Sequence, residues 1–378
     1  MKQEKALFIL HYSPPIHGAA KVGDTILKSS VINDAFKTRY IKIKSSNNLE
    51  SIGTFRLSKI WFFLGLLFNV VYQLVFFRPK IIYFTTSPRG FAFYRDIVIS
   101  IAVKIYRIFN KNCEVFYHYH AKGIYEFTKH SKKAKNLTNF FVSKVNIIFI
   151  SNLMKNEVSE LKGFNRIIIL NNGVPNKLDD ITFKNIIEQR QKNNEINVLY
   201  LSNMMKEKGY DVALKLAKSI AIKSEYKVKF NFAGAWSTLK DKSFFETYVK
   251  EHNLESVIKY HGLVSGEKKS NLFKTSNVFV FPTSYSKEVF PLSILEALSY
   301  GLPVLTFSKG AIPEIINEDV GIITNKEKIN KDFNTIVECY LNEAAYNSCR
   351  NSFLINYTNK VFEKKLVTIL KQKTLENC

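Results

Sequence analysis

Two glutamates separated by seven residues, Glu288 and Glu296, sit around the start of an apolar helix signal. They lie in the run Phe281-Pro282-Thr283-Ser284-Tyr285-Ser286-Lys287-Glu288-Val289-Phe290-Pro291-Leu292-Ser293-Ile294-Leu295-Glu296-Ala297-Leu298-Ser299-Tyr300-Gly301-Leu302-Pro303-Val304. The run reads as a strand ending at Pro282, a loop carrying Glu288, a helix opened by Pro291 and closed by Gly301, and a following strand. The N–H groups of residues 289–293 carry the partial positive charge of a helix start, which suits a diphosphate. The two carboxylates are then placed to accept hydrogen bonds from sugar and ribose hydroxyls. Standing alone, the same pair would read as two solvated glutamates beside a helix.

Two weaker constellations lie nearer the N-terminus. His118 and His120 alternate with Tyr117 and Tyr119 at the end of a strand, so both imidazoles share one face, and His120 lies nearer the carboxyl end. A structural histidine pair fits as well, and no carboxylate or cysteine stands close by in sequence to complete a metal site. After the first strand comes Ser13-Pro14-Pro15-Ile16-His17-Gly18-Ala19-Ala20-Lys21-Val22-Gly23, a turn of small residues entering a helix. Its N–H groups suit a phosphate or a sugar hydroxyl. It is not the GxGxxG fingerprint, and a plain strand-to-helix turn accounts for it equally well.

The elements that must position these residues alternate. Short Ile-, Val-, Phe- and Tyr-rich runs at residues 6–11, 81–84, 115–119, 146–150 and 167–170 are separated by helix-length segments, a βα rhythm. A polar stretch at 175–196 interrupts it, and the domain boundary is expected there. The rhythm restarts at 197–202, 229–234, 257–262, 278–282, 303–307 and 321–324. Two α/β units follow, each a parallel sheet covered by helices, with ligands expected beyond the carboxyl ends of the strands. A last apolar-periodic stretch, 353–371, is expected to be a helix that crosses back to the first domain.

At 378 residues the chain is long enough for two domains with a cleft between them. Its 55 Lys and Arg against 32 Asp and Glu give a net charge of +23, which points to a polyanion or an anionic surface, although much of the excess reads as a lysine-rich solvated exterior. No nucleic-acid-binding motif accompanies the charge. Cys113, Cys339, Cys349 and Cys378 form neither a CxxC pair nor a regular framework, so a reducing compartment is expected. The charged N-terminus leads into only a short apolar run, so no secretory signal is expected. Residues 60–77 are mostly Leu, Phe and Val between basic flanks, the lower limit for a bilayer span. Asn69 and Gln73, four apart on one face, and Pro79 before the next strand favour a helix packed on a sheet, with an interfacial helix second.

The whole pattern is more specific than its parts. Glu288-x7-Glu296, then Ala-Leu-x-x-Gly-x-Pro-Val, then Gly310-Ala311-Ile312-Pro313-Glu314-Ile315-Ile316 before Gly321, strongly resembles the donor-site signature of family-4 retaining glycosyltransferases (glycosyl transferases group 1). Leu201-Ser202-Asn203-Met204-Met205-Lys206-Glu207-Lys208-Gly209-Tyr210-Asp211 resembles that family's Gly-Arg-Leu-x-x-x-Lys-Gly segment, and Phe230-Asn231-Phe232-Ala233-Gly234 its next strand and glycine loop. Ile148-Phe149-Ile150-Ser151 and Leu170-Asn171-Asn172-Gly173-Val174 are similar to its Val-Ser and Asn-Gly-Val landmarks. Two departures stand out: Asn203 where the family commonly has Arg, and Gly18-Ala19 where it has a glycine pair.

The resemblance implies an α/β chain of the GT-B fold, with two Rossmann-like doubly wound domains. Residues 1–185 with 353–378 would form the acceptor side and 186–352 the nucleotide-sugar side. It implies transfer of a sugar from a UDP- or GDP-sugar to a glycan or polyprenyl-linked acceptor, with no cofactor and no metal. Lys208 would neutralise the developing diphosphate charge, Glu288 would hold the donor sugar, Glu296 the ribose, and His120 would contact the sugar near the reacting carbon. Gly18, Asn203, Gly234, Val289, Phe290, Pro291 and Leu292 would complete the donor site, and His17 and His118 would lie on the acceptor side. The setting implied is cell-surface polysaccharide assembly, capsule or lipopolysaccharide, by a cytoplasmic enzyme peripheral to the inner face of an anionic membrane. The alternatives are a nucleotide-sugar 2-epimerase of the same fold and a non-catalytic nucleotide-sugar-binding subunit.

Overall fold

A computed structural model describes residues 3–14, 18–43, 57–223 and 226–372. The chain divides into two units, Met1–Gly173 with Asn359–Cys378, and Val174–Thr358.

The first unit is built on a parallel sheet of β1 (Glu4–Leu10), β2 (Phe36–Lys42), β3 (Ile81–Thr86), β4 (Glu114–Tyr119), β5 (Asn146–Phe149) and β6 (Arg166–Ile169), in the order β2-β1-β3-β4-β5-β6. Residues 6–10 and 81–86 are buried throughout, as expected of strands covered on both faces. Edge strand β2 instead alternates, with Phe36 and Tyr40 toward the core and Lys37 and Arg39 exposed, and so shows little continuous apolar signal. It follows the six-residue helix Ser30–Ala35 without a loop, which further hides it in the sequence.

The second unit repeats the plan with β7 (Glu195–Leu201), β8 (Lys227–Ala233), β9 (Ile258–Tyr260), β10 (Val278–Phe281), β11 (Val304–Phe307) and β12 (Gly321–Thr324), ordered β12-β11-β10-β7-β8-β9. All its paired strands run parallel. The strand order reverses between β7 and β10, the switch point where loops splay apart and leave room for a ligand.

The divisions fall at Gly173/Val174 and Thr358/Asn359 rather than at 185/186 and 352/353. Packing explains the difference. The helix Asp180–Lys192 belongs with the second unit, because Phe183 lies against Gly301 and the Arg190 guanidinium donates to the Phe273 carbonyl at 3.0 Å. The helix Glu343–Asn356 stays there too, with Arg350 over Phe183 and donating to the Ser299 carbonyl. The helix Asn359–Lys371 returns to the first unit, where Phe362, Leu366, Ile369 and Leu370, one face at helical spacing, join Phe8, Leu10, Ile32 and Phe36 in the core.

Residues 57–77 depart from the expected helix on a sheet. They form the helix Leu57–Tyr72 continued by a π-helical turn, Gln73–Phe77. Val70, Leu74 and Phe77 are buried, but Trp61, Phe62, Leu64, Phe68, Val71, Tyr72, Val75 and Phe76 are exposed. No helix among the described residues is long and apolar enough to cross a membrane.

Candidate active site

The loops after β7 and β10 leave neighbouring strands at the switch point, which brings residues eighty positions apart into contact. Beyond β7 the chain passes the exposed Asn203, is pinned by the Met204 N–H to the Ala235 carbonyl (2.8 Å), and makes a 3₁₀ turn, Lys206–Lys208. Gly209 ends that turn at φ +88°, and a Cβ there would overlap the Pro282 carbonyl. Only glycine fits this conformation and this approach together. The Ser284 N–H donates to the Glu207 carbonyl at 2.8 Å and ties the second loop to the first. Gly209→Ala is therefore expected to lower stability by about 1–3 kcal/mol, read as a fall in melting temperature, and to weaken ligand binding at the same loops.

The result is an ion pair, Lys208 Nζ to Glu288 Oε2 at 2.5 Å, with side chains 16% and 9% exposed. The ammonium also lies 4.7 Å from the Tyr285 ring centroid and 5.8 Å from that of Phe281. The cation is thus held in place by a carboxylate and two aromatic faces.

The backbone around Glu288 is clasped from behind. Gly310, at φ +52°, passes so close that a Cβ would lie 2.5 Å from the Glu288 carbonyl, and the Ala311 N–H donates to the Val289 carbonyl at 2.7 Å. Val289 and Phe290 are buried, Pro291 caps the helix Leu292–Ser299, and the first N–H groups of that helix are left by geometry without intrahelical acceptors. Gly234 closes the other side: its N–H donates to the Gly262 carbonyl at 2.8 Å, and a Cβ would strike the Ser202 carbonyl. The motif Gly310-Ala311-Ile312-Pro313-Glu314 thus acts through close backbone approach.

Glu296 is not part of the Lys208–Glu288 pair. Lys269, on the helix Gly266–Thr275, donates to both its oxygens at 2.7 Å. The two line a pocket with Pro175, Lys177, Phe273 and Tyr300. Lys269 did not stand out in the sequence, where it is one of two adjacent lysines on an ordinary polar helix. Arg350 carries no sequence signal either. It is buried behind the helix that carries Glu296 and donates to the Ser299 carbonyl (2.6 Å), the Leu178 carbonyl (2.8 Å) and Asn176 Oδ1 (2.8 Å).

In the first unit, His118 and His120 do share a face, their rings 4.0 Å apart. His118 is fully buried and bonded through Nδ1 to the Tyr83 hydroxyl, so it supports His120 from below, and its assignment to the acceptor side as a contacting residue does not fit its burial. His120 is half-buried at the strand's carboxyl end. Gly18 opens its helix, Gly18–Lys28, with open space around its Cα; the close approach falls instead on Gly23, where a Cβ would strike the His11 carbonyl. Asp24 fixes this loop by accepting from the Ser13 N–H at 3.0 Å and the Ser13 hydroxyl at 2.6 Å. His17 lies outside the described residues.

Burial, and secondarily His120, hold the His118 imidazole well below its ordinary value of 6.5. The unfolded chain therefore binds a proton that the folded chain refuses. Stability is full above about pH 6.5 and falls as the pH drops below it toward the depressed folded value, by at most about 1.4 kcal/mol per pH unit. Thermal unfolding at pH 7.5 and 5.5 checks this, and His118→Phe is expected to shrink the difference.

Residues 182–351 match the family model of glycosyl transferases group 1. The matched segment lies wholly within the second unit and contains Lys208, Gly234, Glu288, Glu296 and Gly310. Over 145 residues the chain is 31% identical to an uncharacterised 41.2 kDa protein in the cps region of Klebsiella pneumoniae, a match covering 38% of this chain and 37% of that one. The chain spans between a fifth and a half of the length of the curated relatives it matches. Among solved structures, a glycosyltransferase from Rickettsia africae superposes with a TM-score of 0.70 at 15% identity over 100% of both chains. The Anabaena protein HepE in complex with UDP-glucose does so with a TM-score of 0.66, at 15% identity over 97% of this chain and 99% of that one. The fold is thus GT-B, two Rossmann-like parallel-sheet units, and the segment matched by the group 1 model carries the ion-paired site.

Proposed function

We propose that the protein is a retaining glycosyltransferase that moves a sugar from a nucleotide-diphosphate sugar to a glycan or lipid-linked acceptor in cell-surface polysaccharide synthesis. The observation that carries this reading is the ion pair of the part-buried Lys208 with the buried Glu288 at the switch point of the second unit, beside a helix start clasped by Gly310 and Ala311. When the bond from the sugar to the diphosphate lengthens, negative charge grows on the leaving phosphate, and Lys208 with the N–H groups near Leu292 neutralises it. This assigns to side chain and helix start the neutralisation that a metal supplies elsewhere. Glu288 orients the sugar hydroxyls, and Glu296, steadied by Lys269, accepts from the ribose. His120 keeps the role that the resemblance implies, contact with the sugar near the reacting carbon. A rate loss in His120→Ala at unchanged nucleotide affinity would support it.

The relative in a cps region and the UDP-glucose held by a neighbour of the same fold favour surface polysaccharide and a nucleotide sugar. The net charge of +23 favours a location at the inner face of an anionic membrane.

Calorimetry against UDP- and GDP-sugars tests the donor site. One base is expected to bind, and Glu296→Ala to weaken it by about tenfold or more, the value of a hydrogen bond to a charged group. Binding that ignores both Glu296→Ala and Lys208→Ala would overturn the assignment. Anomeric configuration of the product, read by NMR, tests retention.

A further inference from the structure

An apolar helix face belongs in a core or against something apolar, yet the first unit shows two helices with apolar faces open to solvent. In the helix Gly90–Phe109, Phe93, Ile97, Ser100 and Val103 are buried on one face. On the other, Phe91, Tyr94, Val98, Ile101, Ile105 and Ile108 are exposed at alternating spacings of three and four, the pattern of a second apolar stripe. Phe91, at the start of the helix, is 78% exposed, and Phe109, at its end, 80%. The helix packed against it, with its π-helical continuation, adds Trp61 at 76%, Phe68 at 74% and Phe76 at 69%. So large a contiguous set of exposed aromatic and aliphatic side chains marks an interaction surface.

Charge selects the occupant. Residues 57–113 contain eight cations, Lys59, Arg78, Lys80, Arg89, Arg95, Lys104, Arg107 and Lys111, and a single acidic residue, Asp96. Asp96 is fully buried, bonded to Arg95 and to the Ser87 N–H, so it presents no charge outward. Lys104 is pushed down to about 8, first by burial and then by the neighbouring Arg107 and Lys144 cations, a crowding that an anionic headgroup would relieve. An apolar stripe with aromatic residues, on a segment rich in cations whose single acidic residue is buried, complements the interface of an anionic bilayer. Neither helix crosses it.

We propose that residues 57–77 and the helix Gly90–Phe109 together form a docking surface for an anionic lipid bilayer, on which the first unit lies with its exposed stripes among the headgroups and upper acyl chains. This deepens, and rests on, the membrane-side acceptor reading above, since a surface-bound enzyme meets a lipid-linked acceptor in two dimensions.

Flotation of the full chain with phosphatidylglycerol/phosphatidylcholine vesicles tests it. Binding is expected at low salt, with a strong loss in pure phosphatidylcholine and in 1 M salt, where screening shortens to about 3 Å. Two triple variants, Trp61→Ser/Phe68→Ser/Phe76→Ser and Phe91→Ser/Ile105→Ser/Ile108→Ser, each lower the partition coefficient by about tenfold or more. Brominated acyl chains quench Trp61, and Trp61→Phe abolishes that quenching. No flotation at low salt, or variants that float as the parent does, overturns the proposal. So does a self-association of the parent that the variants abolish while vesicles are ignored, which would give the face to a second copy. UDP calorimetry on the same variants separates the two readings: unchanged affinity is expected, whereas a parent that floats but binds no nucleotide leaves the docking surface standing and defeats the transferase.

Discussion

Lys208→Ala is expected to lower the turnover of sugar transfer by about 10²–10³-fold, the usual loss when one preorganised stabiliser of developing charge is removed. The reason lies in the geometry of the pair: Lys208 Nζ is held 2.5 Å from Glu288 and against the Tyr285 and Phe281 rings, so the cation is fixed in place before a leaving diphosphate forms and needs no reorganisation to meet it. Removing it also leaves the Glu288 carboxylate buried without its cation, which opposes the approach of any phosphate. The loss should therefore appear in kcat and in donor affinity together, measured by initial rates over a range of donor concentrations. Glu288→Gln keeps the size of the side chain and removes its charge; it is expected to spare nucleotide affinity more than Lys208→Ala does while still lowering kcat. An unchanged kcat in Lys208→Ala would defeat the assignment of Lys208 as the charge stabiliser.

Arg350→Met is expected to destabilise the second unit by about 3–5 kcal/mol, although it lies behind the site and touches no substrate in the proposed reaction. Its guanidinium is the common donor to the Ser299 carbonyl at the end of the Glu296 helix and to Asn176 and the Leu178 carbonyl on the segment that leads into the unit. The Phe183 and Phe353 rings flank it. Methionine fills much of the volume but leaves buried carbonyls without donors. Urea denaturation followed by the fluorescence of Trp236, in a Trp61→Phe background, reads the loss in that unit. A shift below about 1 kcal/mol, the ordinary effect of a surface change, would show that these bonds are replaced by water.

Much of this was legible in the chain itself. Among the described residues the βα rhythm marks eleven of twelve strands, most of them runs of Ile, Val, Phe and Tyr, whereas edge strand β2 is interrupted by Lys37, Thr38 and Arg39 and escapes. The helix start at Pro291 and its end at Gly301 were readable because proline and glycine act through local backbone geometry, and so was the alternation that puts His118 and His120 on one face.

What the sequence by itself determined was therefore the fold class, the order of the elements, and which short segments carry chemistry, since each depends on periodicity or on a residue's own conformational limits. Only the tertiary structure decided the partners. Lys208 meets Glu288 because β7 and β10 are neighbours at the point where strand order reverses, and Glu296 meets Lys269 where the helix Gly266–Thr275 reaches the end of the helix Leu292–Ser299, as the Ser270–Tyr300 hydroxyl contact does too. His118 proved buried and Gly23, rather than Gly18, proved the tight contact. The apolar stretch at 57–77 and the helix after it turned outward, although their composition matches that of core helices. Hydrophobic spacing states which faces are apolar; what covers each face is set by contacts between residues far apart along the chain, and no local pattern encodes them.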